Sequence, residues 1–216
     1  MSFLLISPPV TKPGEPPAGL AKLSSALAHH GIACRLLDAN LEGLLHLMGQ
    51  SGAAADTWSR RALKHLPASL AALRTRATVK SFDGYTRAVS DTNRVLAVAS
   101  RCYGARVSLA DYHDARLSPV RSADLLQAAG HPEQNAFYTY FSSRLSGLLD
   151  AESFSVIGLS LNFLSQALTT FAMIGFLRRQ RCRVKLVLGG GLITSWMRRP
   201  GFKNPFAGLV DLLIDG

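Results

Sequence analysis

"FSVIGLSLNFLSQALTTFAMIGFLRRQRCRVKLVLGGGLIT", residues 154–194, decides the fold. Two short apolar runs, 154–161 and 184–190, bracket a helical stretch from Phe163 to Leu177. A strand, a crossover helix and a second strand make parallel pairing the natural outcome. The second run leads into Gly189, Gly190 and Gly191. Glycines at that point allow something to approach the backbone closely, and the rest of the chain has to say what does.

Three more runs extend the pattern: "FLLIS" (3–7), "ACRLLDA" (33–39) and "LVDLLID" (209–215). Between the first two, Leu20, Leu23 and Leu27 have helical spacing and Gly31 supplies a stop. This rhythm predicts an α/β fold: a flavodoxin-like (Rossmann-like) five-stranded parallel sheet in the order 2-1-3-4-5. Ligands of such sheets bind beyond the C-terminal strand ends.

Residues 41–150 break the rhythm. They are rich in Ala, Leu, Ser and Arg and read as a helical insertion between strands two and three, with start signals at Asp56 and Pro132-Glu133. The expected organisation is a discontinuous domain, 1–40 with 151–216, interrupted by the insertion at 41–150. The insertion is expected to cover or dock against the cleft. The last run reaches residue 216 with no covering helix after it, so a further domain of a longer protein is expected to follow.

Composition removes several classes. At 216 residues and 48% hydrophobic content the chain can bury a core. Its three cysteines, Cys34, Cys102 and Cys182, are far apart, so neither a disulfide framework nor a cysteine-held metal site is indicated, and a cytoplasmic setting is expected. "MSFLLISPPV" lacks the basic start of a signal peptide. The apolar stretch 163–177 is too short for a membrane span and is interrupted by Ser165, Gln166, Thr169 and Thr170. The formal charge is +10, but the arginines are scattered along the sequence. A solvated basic surface is the expectation, and nucleic acid is not an expected partner.

The strand tips carry the candidate site. After strand one, Ser7, Pro8 and Pro9 open a proline-stiffened loop that also holds Thr11 and lacks the glycine turn of a dinucleotide fold. It is an ordinary rigid loop or one wall of a cleft. After strand two, Asp38 and Asn40 follow; without that fingerprint Asp38 is better read as a cap or turn residue. After strand three, Ser160, Leu161 and Asn162 lead into Ser165 and Gln166, which suit helix capping and could also bond a ligand. No Gly-Lys-Ser/Thr follows the three glycines, so they are not a phosphate loop. His29 and His30 end the first helix. "DYHDAR" (111–116) looks like a carboxylate–histidine pair, a pattern more often structural than functional.

Taken in order, "LLISPP", "GLAKLSSAL…G", "LLDAN", "GLSLNFLSQ", "LVLGGGLITS" and "VDLLIDG" resemble the cobalamin-binding domain that precedes the catalytic domain in B12-dependent radical SAM proteins. The resemblance covers the strands and framework helices and leaves out the insertion. It implies a groove for the nucleotide tail of the cofactor, lined by a serine matching Ser160 and a glycine pair matching Gly190 and Gly191. The family often has leucine where Asn162 stands. The cobalt-ligating histidine of the mutases has no counterpart in the first loop, so no metal ligand is carried over, His113 included. The chain also lacks the Cys-x-x-x-Cys-x-x-Cys cluster motif. Alone it has no catalytic residues. The resemblance implies a following radical SAM domain that would hold a four-iron–four-sulfur cluster and S-adenosylmethionine, in a parent enzyme of the methyltransferase kind. The alternative is a flavodoxin-like module that binds another nucleotide or a protein partner, with glycines that only shape a turn.

Overall fold

The computed structural model describes residues 2–52, 56–180 and 184–216; Cys182 and the 181–183 part of the basic run after the central helix lie outside them. In chain order the elements are β1 (Ser2–Ser7), α1 (Ala18–His29), β2 (Ala33–Asp38), α2 (Ala39–Gly49), α3 (Thr57–Leu73), α4 (Arg76–Val79) and α5 (Phe82–Ser100). The hairpin β3 (Ala105–Val107) and β4 (Tyr112–Asp114) follows, then α6 (Ser122–Gly130), α7 (Tyr138–Ala151) and β5 (Val156–Ser160). The chain closes with α8 (Leu164–Arg179), β6 (Lys185–Gly189), α9 (Gly191–Met197) and β7 (Leu212–Leu213).

The sheet is parallel throughout, in the order β2-β1-β5-β6-β7. Its strands, taken in chain order without the separate β3–β4 hairpin, run 2-1-3-4-5. That hairpin was not foreseen within the insertion. The final strand is also much shorter than the 209–215 run suggested: only Leu212 and Leu213 are in strand register with β6, flanked by single amide bonds from Asp211 to the Leu186 carbonyl and from Ile214 to the Leu188 carbonyl.

Right-handed crossovers place α1 and α8 on opposite faces, since β1 to β2 and β5 to β6 step in opposite directions across the sheet. Leu4, Ile6, Ile157, Leu159, Leu186 and Leu188 point to the α8 side and are buried. Every residue of α8 from Gln166 to Leu177 is buried. An all-round apolar helix needs cover on all sides, and the insertion provides it. Leu44, Leu125, Phe137, Phe141 and Leu145 belong to the same core as the sheet residues. Thus α2, α6 and α7 form an outer layer of the domain rather than a detached lid, and the boundary expected at residue 41 falls inside α2. Asn135 ties this layer inward: its side-chain amide donates to Tyr112 Oη and Thr169 Oγ1, both at 3.3 Å.

The contact between α6 and α8 requires Gly175. A Cβ there would overlap the Ala129 carbonyl of α6. We expect Gly175→Ala to push α6 away and destabilise the chain by about 1–3 kcal/mol, the usual cost of overpacking. Chemical denaturation checks this; an unchanged midpoint would show that α6 is not part of the cooperative unit.

Candidate functional site

The loops after β1, β5 and β6 meet at the C-terminal edge of the sheet. Gln166, 1% exposed, joins the first two. Its Oε1 accepts from the amides of Asn162 (2.9 Å) and Phe163 (3.1 Å), and its Nε2 donates to the Pro8 carbonyl (2.8 Å). Ser165 adds a second stitch by donating to the Val10 carbonyl at 2.8 Å. Buried Asn40 holds the proline loop from the other side, accepting from Thr11 N and donating to Thr11 O, both at 2.9 Å. Asp38 caps α2 through the Leu41 amide at 3.0 Å, the role its position suggested. Ser7, Pro8 and Pro9 are all buried, so they form the floor of the loop.

Asn162 links β5 to β6. Its Nδ2 donates to Ser160 Oγ at 3.0 Å, and its Oδ1 accepts from Gly191 N at 3.0 Å. Ser160 and Gly189 are register partners on neighbouring strand tips. By strand alternation they share the α1 face with Leu5, Ser7, Gly158 and Val187. Part of that face is open: Leu212 and Ile214 are about half exposed.

The three glycines have different surroundings. Gly190 has φ 107°, and a Cβ on it would stand 2.5 Å from the Leu161 carbonyl oxygen. Leu161 is itself fixed by its amide bond to Gly189 O (2.7 Å) and by its carbonyl accepting from Leu192 N (3.2 Å). What approaches Gly190 is therefore the neighbouring loop's own backbone. A Cβ on Gly189 would meet only Ile214, at 3.6 Å, and one on Gly191 only Asn162 Oδ1, at 3.8 Å. Gly191 is exposed and leaves open space above the tips.

The structure thus gathers Ser160, Leu161, Asn162, Gly189, Gly190 and Gly191 into one surface, with Pro8 held against it through Gln166. Asp38 belongs to the adjoining edge, beyond β1. Leu41, Phe163 and Leu164, at the starts of α2 and α8, are 42%, 50% and 41% exposed. They give this end of the sheet an apolar rim that the sequence reading passed over. The available signal was an apolar pair immediately before a capping Ser-Gln, where a polar residue would be usual.

The "DYHDAR" stretch lies elsewhere, in the β3–β4 hairpin and the turn after it. Asp111 bonds its neighbour's amide, and Asp114 accepts from Arg116 N and Leu117 N. His113 is exposed. Among the described residues no three His, Cys, Asp or Glu side chains come together as a metal site, and no helix is long and apolar enough to cross a membrane. No protein-family model, curated protein or solved structure matches the chain.

Asp211 fastens the short edge strand. Its Oδ2 accepts from Leu186 N at 2.7 Å and from Arg178 at 2.6 Å. The Leu186 amide, and then Arg178, hold its carboxyl below the usual aspartate value. A depressed folded pKa gives stability above the unfolded value that is lost as pH falls through the folded one. Protection of the Leu212–Ile214 amides against exchange, measured relative to the intrinsic rate at each pH, should fall below about pH 4, the ordinary aspartate range. Asp211→Asn should abolish that acid step; an identical acid profile in the variant would contradict this role.

Gln166→Leu should strip partners from two amides and one carbonyl. We expect a loss of about 3 kcal/mol or more, since three groups are left unmet and each costs roughly 1–3 kcal/mol. A denaturation midpoint within error of the parent chain would show that the loops are held by other contacts.

Proposed function

We propose that this chain is a cobalamin-binding module of flavodoxin-like fold, which presents the cofactor to a radical SAM domain of the same protein. The observation that carries the reading is the pairing of Ser160 with Gly189 on adjacent strand tips, beside an open sheet face. It supports the reading because the resemblance asks for a serine, matched by Ser160, beside a glycine pair, matched by Gly190 and Gly191, and these two follow Gly189 directly. Free space above Gly191 and the apolar rim of Leu41, Phe163 and Leu164 suit a large, flat macrocycle. Ser160 would contact the tail, Gly189 and Gly191 would let it lie on the backbone, and the Pro8–Pro9 loop would form the adjacent wall. When bound, the cofactor supplies a cobalt centre able to carry a methyl group. The chain's own residues bind it, orient it and keep it off the sheet core; no histidine of the first loop is available as a cobalt ligand. Parent chemistry of the methyl-transfer kind, a four-iron–four-sulfur cluster and S-adenosylmethionine all belong to the proposed neighbouring domain, and a cytoplasmic setting fits them.

One observation favours the alternative of another nucleotide or a protein partner. Gly190 is fully accounted for by the approach of Leu161, with no ligand needed. Substitutions separate the readings. Gly190→Val should damage the fold, through its positive φ and the Leu161 clash. Gly191→Val should leave the melt unchanged, because its Cβ meets nothing closer than 3.8 Å. On the cobalamin reading it should still weaken binding about ten-fold or more, the equivalent of roughly 1.4 kcal/mol. Ser160→Ala should weaken binding less, and His113→Ala should change neither affinity nor spectrum. The test is a spectral titration with hydroxocobalamin. Saturable one-to-one binding that Gly191→Val impairs supports the reading; no saturable change, or full binding by Gly191→Val, overturns it.

A further inference from the structure

The basic charge is not spread as the sequence order suggested. Between residues 57 and 100, eight Lys or Arg stand against two Asp, a net +6 of the chain's formal +10. This stretch is the antiparallel pair α3 and α5, joined through α4. The two helices pack mainly on one another through an apolar seam that includes buried Ala62, Ala88, Val95 and Leu96.

Three adjoining hollows run along this pair. One of about 280 Å³ lies between Arg61, His65, Arg87 and Asp91. The next, about 450 Å³, shares Arg61, Arg87 and Asp91 and adds Trp58, Ser90 and Arg94. The third, about 580 Å³, shares Ser90 and Arg94 and adds Asn93, Arg101 and Arg106. Shared walls make them one trough. None of the three touches the strand tips.

The lining is specific in character. Arg61, Arg87, Arg94, Arg101 and Arg106 supply its positive charge, and His65 also lines it; Lys64 and Lys80 are not in it. None of these five arginines is in an ion pair within 4.0 Å among the described residues. Asp56, Asp83 and Asp91 also line the trough. Asp56 is engaged in capping α3 through Ser59 N at 2.9 Å. Arginine forks match phosphate oxygens two at a time, and Ser59, Ser90, Asn93 and Ser108 add neutral polar groups. The apolar part of the floor is mostly small side chains: Ala68, Ala72, Ala88, Ala97 and Ala105, with Val98 and Val107. These residues give no deep pocket for the anchoring side chains that a peptide ligand uses. At the rim, Trp58 is 65% exposed and offers a stacking surface. A groove of arginines with an exposed aromatic is the arrangement that holds single-stranded nucleic acid by its backbone and stacks its bases.

We propose that the α3–α5 trough binds single-stranded nucleic acid through its phosphodiester backbone, with Trp58 stacking on a base. The site is independent of the cobalamin reading and needs no cofactor for its test.

The probe is a fluorescein-labelled 20-nucleotide single strand of mixed sequence, followed by anisotropy with the full chain at several salt concentrations. Affinity should fall with salt at a log–log slope of roughly −0.7 for each phosphate engaged, so about −3 for four or five contacts. Arg87→Glu with Arg94→Glu should weaken binding about ten-fold or more and flatten that slope by about 1.4, two phosphates' share. Lys22→Glu with Lys203→Glu makes the same net-charge change away from the trough and should alter affinity less than about two-fold. Trp58→Ala should weaken binding without changing the slope. All five substituted side chains are exposed, and circular dichroism melts check that the variants fold. Equal weakening in the two double variants would mean diffuse attraction and overturn the proposal. So would the absence of binding at 100 mM salt, or displacement of the strand by an oligoglutamate of matched charge at equal concentration, which would point to an acidic protein instead.

Discussion

The side chain of Gln166 is the constraint on which the C-terminal edge of this sheet depends. A parallel sheet leaves its C-terminal loops with no ladder to define them, so something else must set their relative positions. Gln166 does so from a buried site at the head of α8, satisfying two amides of the β5–α8 turn and the carbonyl of Pro8. Asn162 passes the order on to the β6 loop by holding Ser160 and Gly191. Gly190 completes the chain of contacts because only a residue without a Cβ lets the Leu161 backbone come so near. Three loops distant in sequence are thus locked into one surface by two amide side chains and one glycine.

The parallel sheet was legible because buried strands appear as unbroken apolar runs and their crossover helix carries a clear length signal. The site was legible in part. Asp38 and Gln166 could be seen as capping groups, since caps are local in sequence. The bond from Gln166 to Pro8 spans 158 residues and could not be seen. The final strand was overestimated because a run of Leu, Val and Ile says nothing about which residues find ladder partners. The β3–β4 hairpin was missed because three-residue strands fall below any periodicity signal.

The insertion shows the same limit at larger scale. Its sequence reads as a set of amphipathic helices with arginines at irregular intervals. Folding sorts those helices into two roles. Three of them, α2, α6 and α7, bury Leu44, Leu125, Phe141 and their neighbours into the core and enclose α8. The pair α3 and α5 packs mainly on itself, joins the same core through Ala62, Val95 and Leu96, and leaves Arg87 and Arg94 exposed. Helical periodicity gathers Arg87 and Arg94, seven residues apart, onto one side of α5, and antiparallel pairing brings Arg61 of α3 beside them. Charge that is scattered in sequence becomes a trough in space.

The central functional proposal is that the surface organised by Gln166 and Asn162 would hold cobalamin. Amide chemical shifts of the isotopically labelled chain, recorded with and without saturating hydroxocobalamin, test it most directly. The account predicts shifts concentrated at Ser160, Leu161, Asn162, Gly189 and Gly191, extending to Leu41 and Phe163, with α3 and α5 unmoved. Shifts confined to α3 and α5, or none at saturation, would contradict it.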